Sequence, residues 1–234
     1  MGANKRIIRD IERIMTDEMA SLGIHYAYDE INTKKGSVLV FGPDDTPYAD
    51  CPLFFSIDIP NDYPFSSPKV LISSSDGKTR LHPNLYIGGK VCLSILGTYS
   101  GPPWSSILNI SGIFKSILSL LDKNPIVNEP GWEKYTLEDN PMAKSYAEFV
   151  EYRLIQMIVS EYGQFKLRTN PMWEKFRETL ETVWPPRWKK ILEKIRERAA
   201  TGETKSYQGI PYGMSGEANW SELLTKATHI DSLT

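Results

Sequence analysis

HPNLYIGGKVCLSILGTYSGPPW, residues 82–104, is the stretch that decides how this chain is interpreted. It contains Cys92, one of only two cysteines, ten residues after His82 and eight after Asn84. Its glycines and prolines predict an irregular loop rather than a regular helix or strand. Cys92 is therefore the best candidate for a reactive group in the sequence.

The overall composition excludes several classes of function. The 234 residues are 41% apolar and 24% charged, as in an ordinary soluble globular protein. A net charge of -2 gives no bulk field that would attract nucleic acid or an anionic membrane. Two cysteines do not make a disulfide framework, and charges interrupt the N-terminal run where a signal peptide would be apolar. We expect a cytoplasmic protein with access to the nucleus that binds neither nucleic acid nor membranes.

Metal and nucleotide sites are not indicated. The three histidines and two cysteines lack the spacing of zinc ligands, and no glycine-rich phosphate-binding motif is present. We therefore expect no metal and no cofactor. The second cysteine, Cys51, begins a predicted strand beside Pro52 and is interpreted as a small buried apolar residue.

A loop thiol such as Cys92 can be a hydrolase nucleophile, a redox thiol or the carrier of an acyl group. A hydrolase needs a base, and His82 is the nearest imidazole, although its position before Pro83 favours a bond to local backbone. An acyl carrier needs no strong base, but it benefits from a donor to the oxyanion. The uncharged amide of Asn84 suits that role, and equally it could hold the Cys92 loop through backbone hydrogen bonds.

The flanking segments predict an α+β fold. An amphipathic helix is expected over residues 4–22, followed by four extended runs between residues 24 and 73 that are separated by turns. In the third run Phe55 and Phe54 fall on opposite faces, and the alternation predicts a strand buried on one face only. A strongly apolar helix over residues 111–123 is expected at the centre of the core.

The C-terminal third is predicted to be helical and then loosely structured. The pairs Asn140–Pro141 and Asn170–Pro171 predict two helix starts, and Pro185–Pro186 is expected to end one helix and begin another. From residue 200 onward the chain is rich in Gly, Ser and Thr. We expect much of this tail to be flexible.

Four motifs in order resemble the ubiquitin-conjugating enzymes. They are GPDDTPY at 42–48, DYPFSSPKV at 62–70, HPN at 82–84, and Cys92 followed by LSIL and then by Trp104. The resemblance covers about residues 4–160. The lengthened loop LGTYSGPPW and the later NEPGW are similar to the large Z-type members, which are charged by the alternative ubiquitin-activating enzyme, and to the conjugating domain of giant inhibitor-of-apoptosis proteins.

The resemblance implies the ubiquitin-conjugating fold: an N-terminal helix, a four-stranded antiparallel meander, an active-site loop and C-terminal helices, with an additional helical extension. It also implies three units. Residues 1–165 would be the catalytic domain, residues 166–199 a helical extension packed on it, and residues 200–234 a partly flexible tail.

The resemblance also assigns roles to individual residues. Cys92 would carry the modifier and Asn84 would serve the oxyanion or the loop, whereas His82, Pro83 and Trp104 would be structural. The remaining roles are docking of the activating enzyme by Lys5, Arg6 and Arg9, docking of the ligase by Phe65, Ser106 and Ile107, and positioning of the attacking lysine by Asn128 or Glu129. Ser106 stands where family members usually have proline.

The implied function is that of a transferase. It would accept ubiquitin or a ubiquitin-like protein on Cys92 from an activating enzyme and pass it to a substrate lysine or to a ligase. The implied partners are therefore the modifier, the activating enzyme, a ligase and protein substrates. Two alternatives remain: a non-catalytic ubiquitin-binding adaptor of the same fold, and a hydrolase that uses Cys92 and His82.

Overall fold

The computed structural model describes residues 2–233, with side chains from residue 5 onward. Its helices are α1 Gly2–Ile14, α2 Asp17–Ser21, α3 Ile110–Leu120, α4 Pro141–Lys166, α5 Pro171–Glu174, α6 Arg177–Ala199 and α7 Trp220–Asp231. Its strands are β1 Ile24–Tyr28, β2 Lys35–Phe41, β3 Pro52–Asp58, β4 Lys69–Ile72, β5 Thr204–Ile210 and β6 Met214–Asn219. Short 3-10 helices span Ser94–Leu96, Pro125–Asn128 and Pro211–Gly213.

The first four strands form an antiparallel meander in the order β1-β2-β3-β4. β2 and β3 are held in a register that pairs Val38 with Phe55. Phe55 meets Phe114 of α3 edge-on, with ring centroids 5.8 Å apart. The apolar helix after the Cys92 loop therefore packs on this face of the sheet, and the predicted α+β order of elements is confirmed.

The opposite face of the sheet differs from the prediction, because it is buried as well. Phe54 is 2% exposed, and its ring lies 5.6 Å from that of Trp173 in α5 and 5.7 Å from that of Phe176. Phe41 stacks on Trp184 of α6 at 6.4 Å. The prediction that β3 is buried on one face only is therefore wrong for its first half, since the C-terminal helices cover the second face.

The predicted helix starts are confirmed, but two predicted boundaries are wrong. Asn140 and Asn170 both cap helices through their side-chain oxygens. The helix expected over residues 4–22 is interrupted at Thr16, which caps the separate helix α2. Pro185 and Pro186 lie inside α6 instead of ending it, because the flanking Trp184 and Trp188 both pack on Tyr162 and hold the helix on each side of the prolines.

The predicted flexible tail is folded in the structure. β5 and β6 form an antiparallel hairpin, and Tyr207 on β5 packs against Phe149 of α4 at 5.3 Å. Ile230 of α7 packs directly on Gly163 of α4. A Cβ atom added to Gly163 would lie only 3.2 Å from the side chain of Ile230. A few well-spaced apolar residues thus suffice to fix this segment, because α4 presents an apolar face to receive them. The division into three units stays a prediction, and its outer ends, Met1 and Thr234, lie outside the described residues.

Two further findings concern the described part of the chain. None of its helices is both long and apolar enough to cross a membrane. It also contains no group of three or more His, Cys, Asp or Glu side chains placed to hold a metal ion.

Candidate active site

Two buried tyrosines fix the approach to the HPN motif. Tyr48 donates its hydroxyl hydrogen to the carbonyl of Leu81 at 2.6 Å, and Tyr146 donates to the carbonyl of Arg80 at 2.9 Å. Burial raises the pKa of both phenols well above the usual value. Both hydroxyls are therefore neutral donors at any physiological pH.

His82 has a structural environment. It is fully buried, and its Nδ1 accepts a hydrogen bond from the backbone N–H of Asn84 at 3.0 Å. Burial lowers the pKa of His82 to about 3, so the imidazole is neutral and its hydrogen lies on Nε2. The structure shows no hydrogen bond between His82 and Cys92.

The guanidinium of Arg80 holds the backbone of the motif. Its Nε donates to the carbonyl of His82 at 3.1 Å and its Nη2 to the carbonyl of Pro83 at 2.5 Å. Arg80 was not identified from the sequence, where it stands in a polar turn and resembles any surface arginine.

Asn84 and Cys92 are joined by two hydrogen bonds. The Cys92 N–H donates to the Asn84 carbonyl at 2.8 Å, and Asn84 Nδ2 donates to the Cys92 carbonyl at 2.8 Å. Asn84 Oδ1 is buried without a partner. Of the two roles left open for Asn84, holding the Cys92 loop is the one that these contacts display.

Thr98, in the lengthened loop, is hydrogen-bonded to both chain neighbours of Cys92. Its Oγ1 accepts the N–H of Leu93 at 3.0 Å and donates to the carbonyl of Val91 at 2.7 Å. One hydroxyl thus binds the residues immediately before and after the cysteine. Apart from the position of Thr98 in the insertion, no sequence feature indicated this role.

The two cysteines differ in setting. Both are free thiols, and Cys51 is fully buried whereas Cys92 is 3% exposed. Burial raises the pKa of the Cys51 thiol above its usual value, as predicted for an inert apolar position. Cys92 is also largely covered by its neighbours in this structure.

The residues predicted to face a ligase lie on two loops that the structure joins. Trp104 donates its indole N–H to the carbonyl of Pro64 at 2.7 Å. This bond links the loops that carry Phe65 and Ile107, which are 81% and 83% exposed. Ser106 is also exposed, so all three residues lie at the surface on two loops that this bond joins.

The three residues of the predicted basic patch on α1, Lys5, Arg6 and Arg9, differ in their contacts. Arg6 donates to the carbonyls of Ser106 and Leu108 at 2.8 and 2.5 Å and to Asp10 at 2.6 Å. Arg6 is thus committed to holding the loop after Trp104, which differs from its predicted role in docking. Lys5 and Arg9 are exposed.

Asn128 and Glu129 are both engaged by neighbours. Asn128 Nδ2 donates to Asp122 Oδ2 at 3.3 Å and to the carbonyl of Pro125 at 3.2 Å. Glu129 accepts the hydroxyl hydrogen of Tyr212 at 2.6 Å. Asp122 and Tyr212 were not identified from the sequence, and burial raises the pKa of Asp122.

Comparison with known proteins identifies the family. The model of the ubiquitin-conjugating enzyme family matches residues 6–152, a range that includes His82, Asn84, Cys92 and Trp104. The chain is 39% identical to human ubiquitin-conjugating enzyme E2 Z over 163 residues, which cover 69% of this chain and 45% of the relative. It is 37% identical over 186 residues to the probable ubiquitin-conjugating enzyme protein 17 of Caenorhabditis elegans, covering 76% and 25% of the two chains.

A third relative has the same kind of domain within a far longer protein. The dual E2 ubiquitin-conjugating enzyme/E3 ubiquitin-protein ligase BIRC6 of Homo sapiens is 39% identical over 123 residues, which cover 49% of this chain and 2% of that protein. This chain spans less than half the length of each of these three relatives. The match to the family model extends over more than half of the chain, and the chain belongs to the ubiquitin-conjugating enzyme family.

Proposed function

We propose that this protein is a transferase that carries ubiquitin or a ubiquitin-like protein as a thioester on Cys92. The Cys92 sulfur would attack the thioester carbonyl on the activating enzyme, whose cysteine leaves as the thiol. A lysine amine or a ligase cysteine would then attack the new carbonyl, and Cys92 would leave with a proton. Neither step consumes water.

The observation that carries this proposal is the way in which Cys92 is held. Backbone and amide bonds from Asn84 and the hydroxyl of Thr98 fix the segment. No imidazole or carboxylate is hydrogen-bonded to Cys92 among the described residues. A thiol exchanged between thioesters of similar energy needs no strong base, and a nearby base would promote hydrolysis.

The hydrolase alternative is weaker because His82 is unsuited to be its base. Its Nδ1 is occupied by a backbone N–H, and burial disfavours the imidazolium that proton abstraction would form. The adaptor alternative leaves unexplained why Cys92 and Asn84 are present together in this geometry.

The partners follow from the exposed groups. Lys5 and Arg9 would contact the activating enzyme. Phe65, Ser106 and Ile107 would contact a ligase. Asn128 and Glu129 are the candidates for orienting the attacking lysine. The two free cysteines favour the reducing cytoplasm as the site of action.

A charging assay tests the proposal. The protein is incubated with ATP, ubiquitin or a ubiquitin-like protein, and each of the two ubiquitin-activating enzymes, and the products are separated without reductant. We expect a thiol-sensitive adduct that persists in Cys51→Ala and is lost in Cys92→Ala. An adduct that survives in Cys92→Ala, or its absence with every enzyme and modifier, would refute the proposal. A higher rate with the alternative activating enzyme is expected from the similarity to the Z-type relatives.

A further inference from the structure

Arg80 is the group on which the geometry of the HPN motif depends, and two aromatic rings flank its guanidinium. The guanidinium carbon lies 3.3 Å from the ring centroid of Tyr86 and 4.8 Å from that of Tyr212. Such contacts are attractive because the cation faces the negative face of the ring. They also limit the directions in which Arg80 can turn.

Tyr212 reaches Arg80 from the distal turn of the C-terminal hairpin, far outside the residues 6–152 matched by the family model. Its backbone is left-handed, with φ 66°, a conformation that is unfavourable for a non-glycine residue. Its ring packs edge-on against Tyr146 at 5.8 Å, and its hydroxyl binds Glu129. These contacts hold the residue in that unfavourable backbone conformation.

The same hairpin also contacts the backbone of Arg80. The Arg80 N–H donates to the sulfur of Met214 at 3.1 Å, two residues beyond Tyr212. Both the backbone and the guanidinium of Arg80 are therefore fixed by one turn of the C-terminal segment.

We propose that Tyr212 is a positioning residue for the transfer reaction. Its ring orients Arg80, Arg80 holds the carbonyls of His82 and Pro83, and the adjoining Asn84 fixes the backbone of Cys92. Tyr212 makes no hydrogen bond to Cys92 among the described residues, so its effect would reach the thiol through Arg80. The inference rests on the proposed function, since it concerns the rate at which the Cys92 thioester is discharged.

The test measures discharge in a single turnover. Each variant is first charged, the activating enzyme is stopped, and loss of the thioester is followed at increasing concentrations of free lysine. This separates the maximal rate from the lysine concentration that gives half of it. Because small misplacements of reacting groups have large effects on rate, we expect Tyr212→Leu to lower the maximal rate by about tenfold.

Three variants separate positioning from general stability. Tyr212→Phe keeps the ring over Arg80 and should recover most of the maximal rate, whereas Tyr28→Leu, at a 53% exposed tyrosine on β1, should discharge as the wild type does. Arg80→Lys cannot span both carbonyls. If Tyr212 acts through Arg80, Tyr212→Leu should add almost nothing to the loss already caused by Arg80→Lys.

The outcomes are distinguishable from failure of the proposed function. If the wild type forms no thioester, the proposed function itself fails. If the wild type charges normally, an unchanged maximal rate in Tyr212→Leu would overturn the positioning role. Additive losses in the double variant would overturn it too, and so would a Tyr212→Phe variant as slow as Tyr212→Leu.

Discussion

The active-site segment at residues 82–104 and the C-terminal third, from residue 166 onward, are held by different forces. In the first, hydrogen bonds from Arg80, Asn84 and Thr98 fix an irregular backbone, and Tyr48 holds Leu81 just before it. In the second, a cluster of aromatic rings around Trp173 and Trp184 covers one face of the sheet. We conclude that damage to the second should unfold the protein, whereas damage to the first should mainly impair transfer.

The largest effect is expected for Trp173→Ala. Trp173 is completely buried between the sheet and α4, and removal of a buried aromatic side chain lowers the free energy of unfolding by about 3–5 kcal/mol. Urea unfolding followed by circular dichroism measures it, with the partly exposed Trp132→Ala as a control expected to lose much less. A different result would contradict the conclusion that the C-terminal helices stabilise the whole fold. In that result, the C-terminal helices of Trp173→Ala unfold in a separate early transition and the sheet stays as stable as in the wild type.

A smaller, pH-dependent effect is expected for His82. Its folded pKa is about 3, against about 6.5 in an unfolded chain, so below pH 6.5 the unfolded state binds a proton that the folded state does not. The contribution of the neutral His82 to the free energy of unfolding is fully present above pH 6.5. As the pH falls below 6.5, this contribution decreases by about 1.4 kcal/mol per pH unit.

His82→Asn should remove that part of the acid sensitivity. Burial also lowers the pKa of His25, so the quantity to measure is the difference between wild type and variant in unfolding free energy from pH 7 to pH 4.5. His229→Asn, at an exposed position of α7, controls for histidine content. Equal acid slopes in His82→Asn and the wild type would contradict the buried neutral imidazole.

Thr98→Val should have a modest effect on stability and a clear one on transfer. The valine has nearly the same shape but loses the hydroxyl that binds both neighbours of Cys92, which is worth about 1 kcal/mol in unfolding free energy. Discharge of the thioester to lysine should be slowed. Thr201→Val, in the turn before β5, removes a comparable pair of local hydrogen bonds, one to the carbonyl of Arg198 and one from the N–H of Glu203, and an equal slowing there would show that the effect is not specific to the Cys92 segment.

The smallest effect on stability is expected for Phe65→Ala and Ile107→Ala. Because both side chains are exposed, the unfolding free energy should change by less than about 0.5 kcal/mol. Charging should be unaffected, while stimulation of discharge by a ligase should be reduced. Full stimulation in both variants would remove this surface from the proposed function.

The sequence predicted those parts of the fold that local patterns specify. The asparagine caps at Asn140 and Asn170 and the apolar helix α3 follow from residue type and period alone. The cover on the second face of the sheet was missed, because an alternating pattern gives the period of a strand and not what packs on each side. Phe54, an aromatic residue on the face taken as polar, was the available signal.

At the candidate site the sequence identified the residues that are distinctive in type but not those that support them. Cys92, Asn84 and His82 stand out by spacing. Arg80 and Tyr212 do not, because nothing in residue type shows that Arg80 binds the carbonyls of His82 and Pro83 or that Tyr212, more than 100 residues further along the chain, packs on Arg80. The tail was taken as flexible because its apolar residues are few, yet the apolar face of α4 is enough to order them.

The central claim, that Cys92 transfers an acyl group to an amine rather than to water, is tested most directly by the fate of the charged protein. The protein is charged on Cys92, the activating enzyme is stopped, and the thioester is followed with and without free lysine in the wild type and in His82→Asn. We predict slow loss without lysine, faster loss with it, and formation of the lysine amide of the modifier in both proteins. Loss at one rate regardless of lysine, with release of the free modifier and protection by His82→Asn, would show a hydrolase and contradict the account.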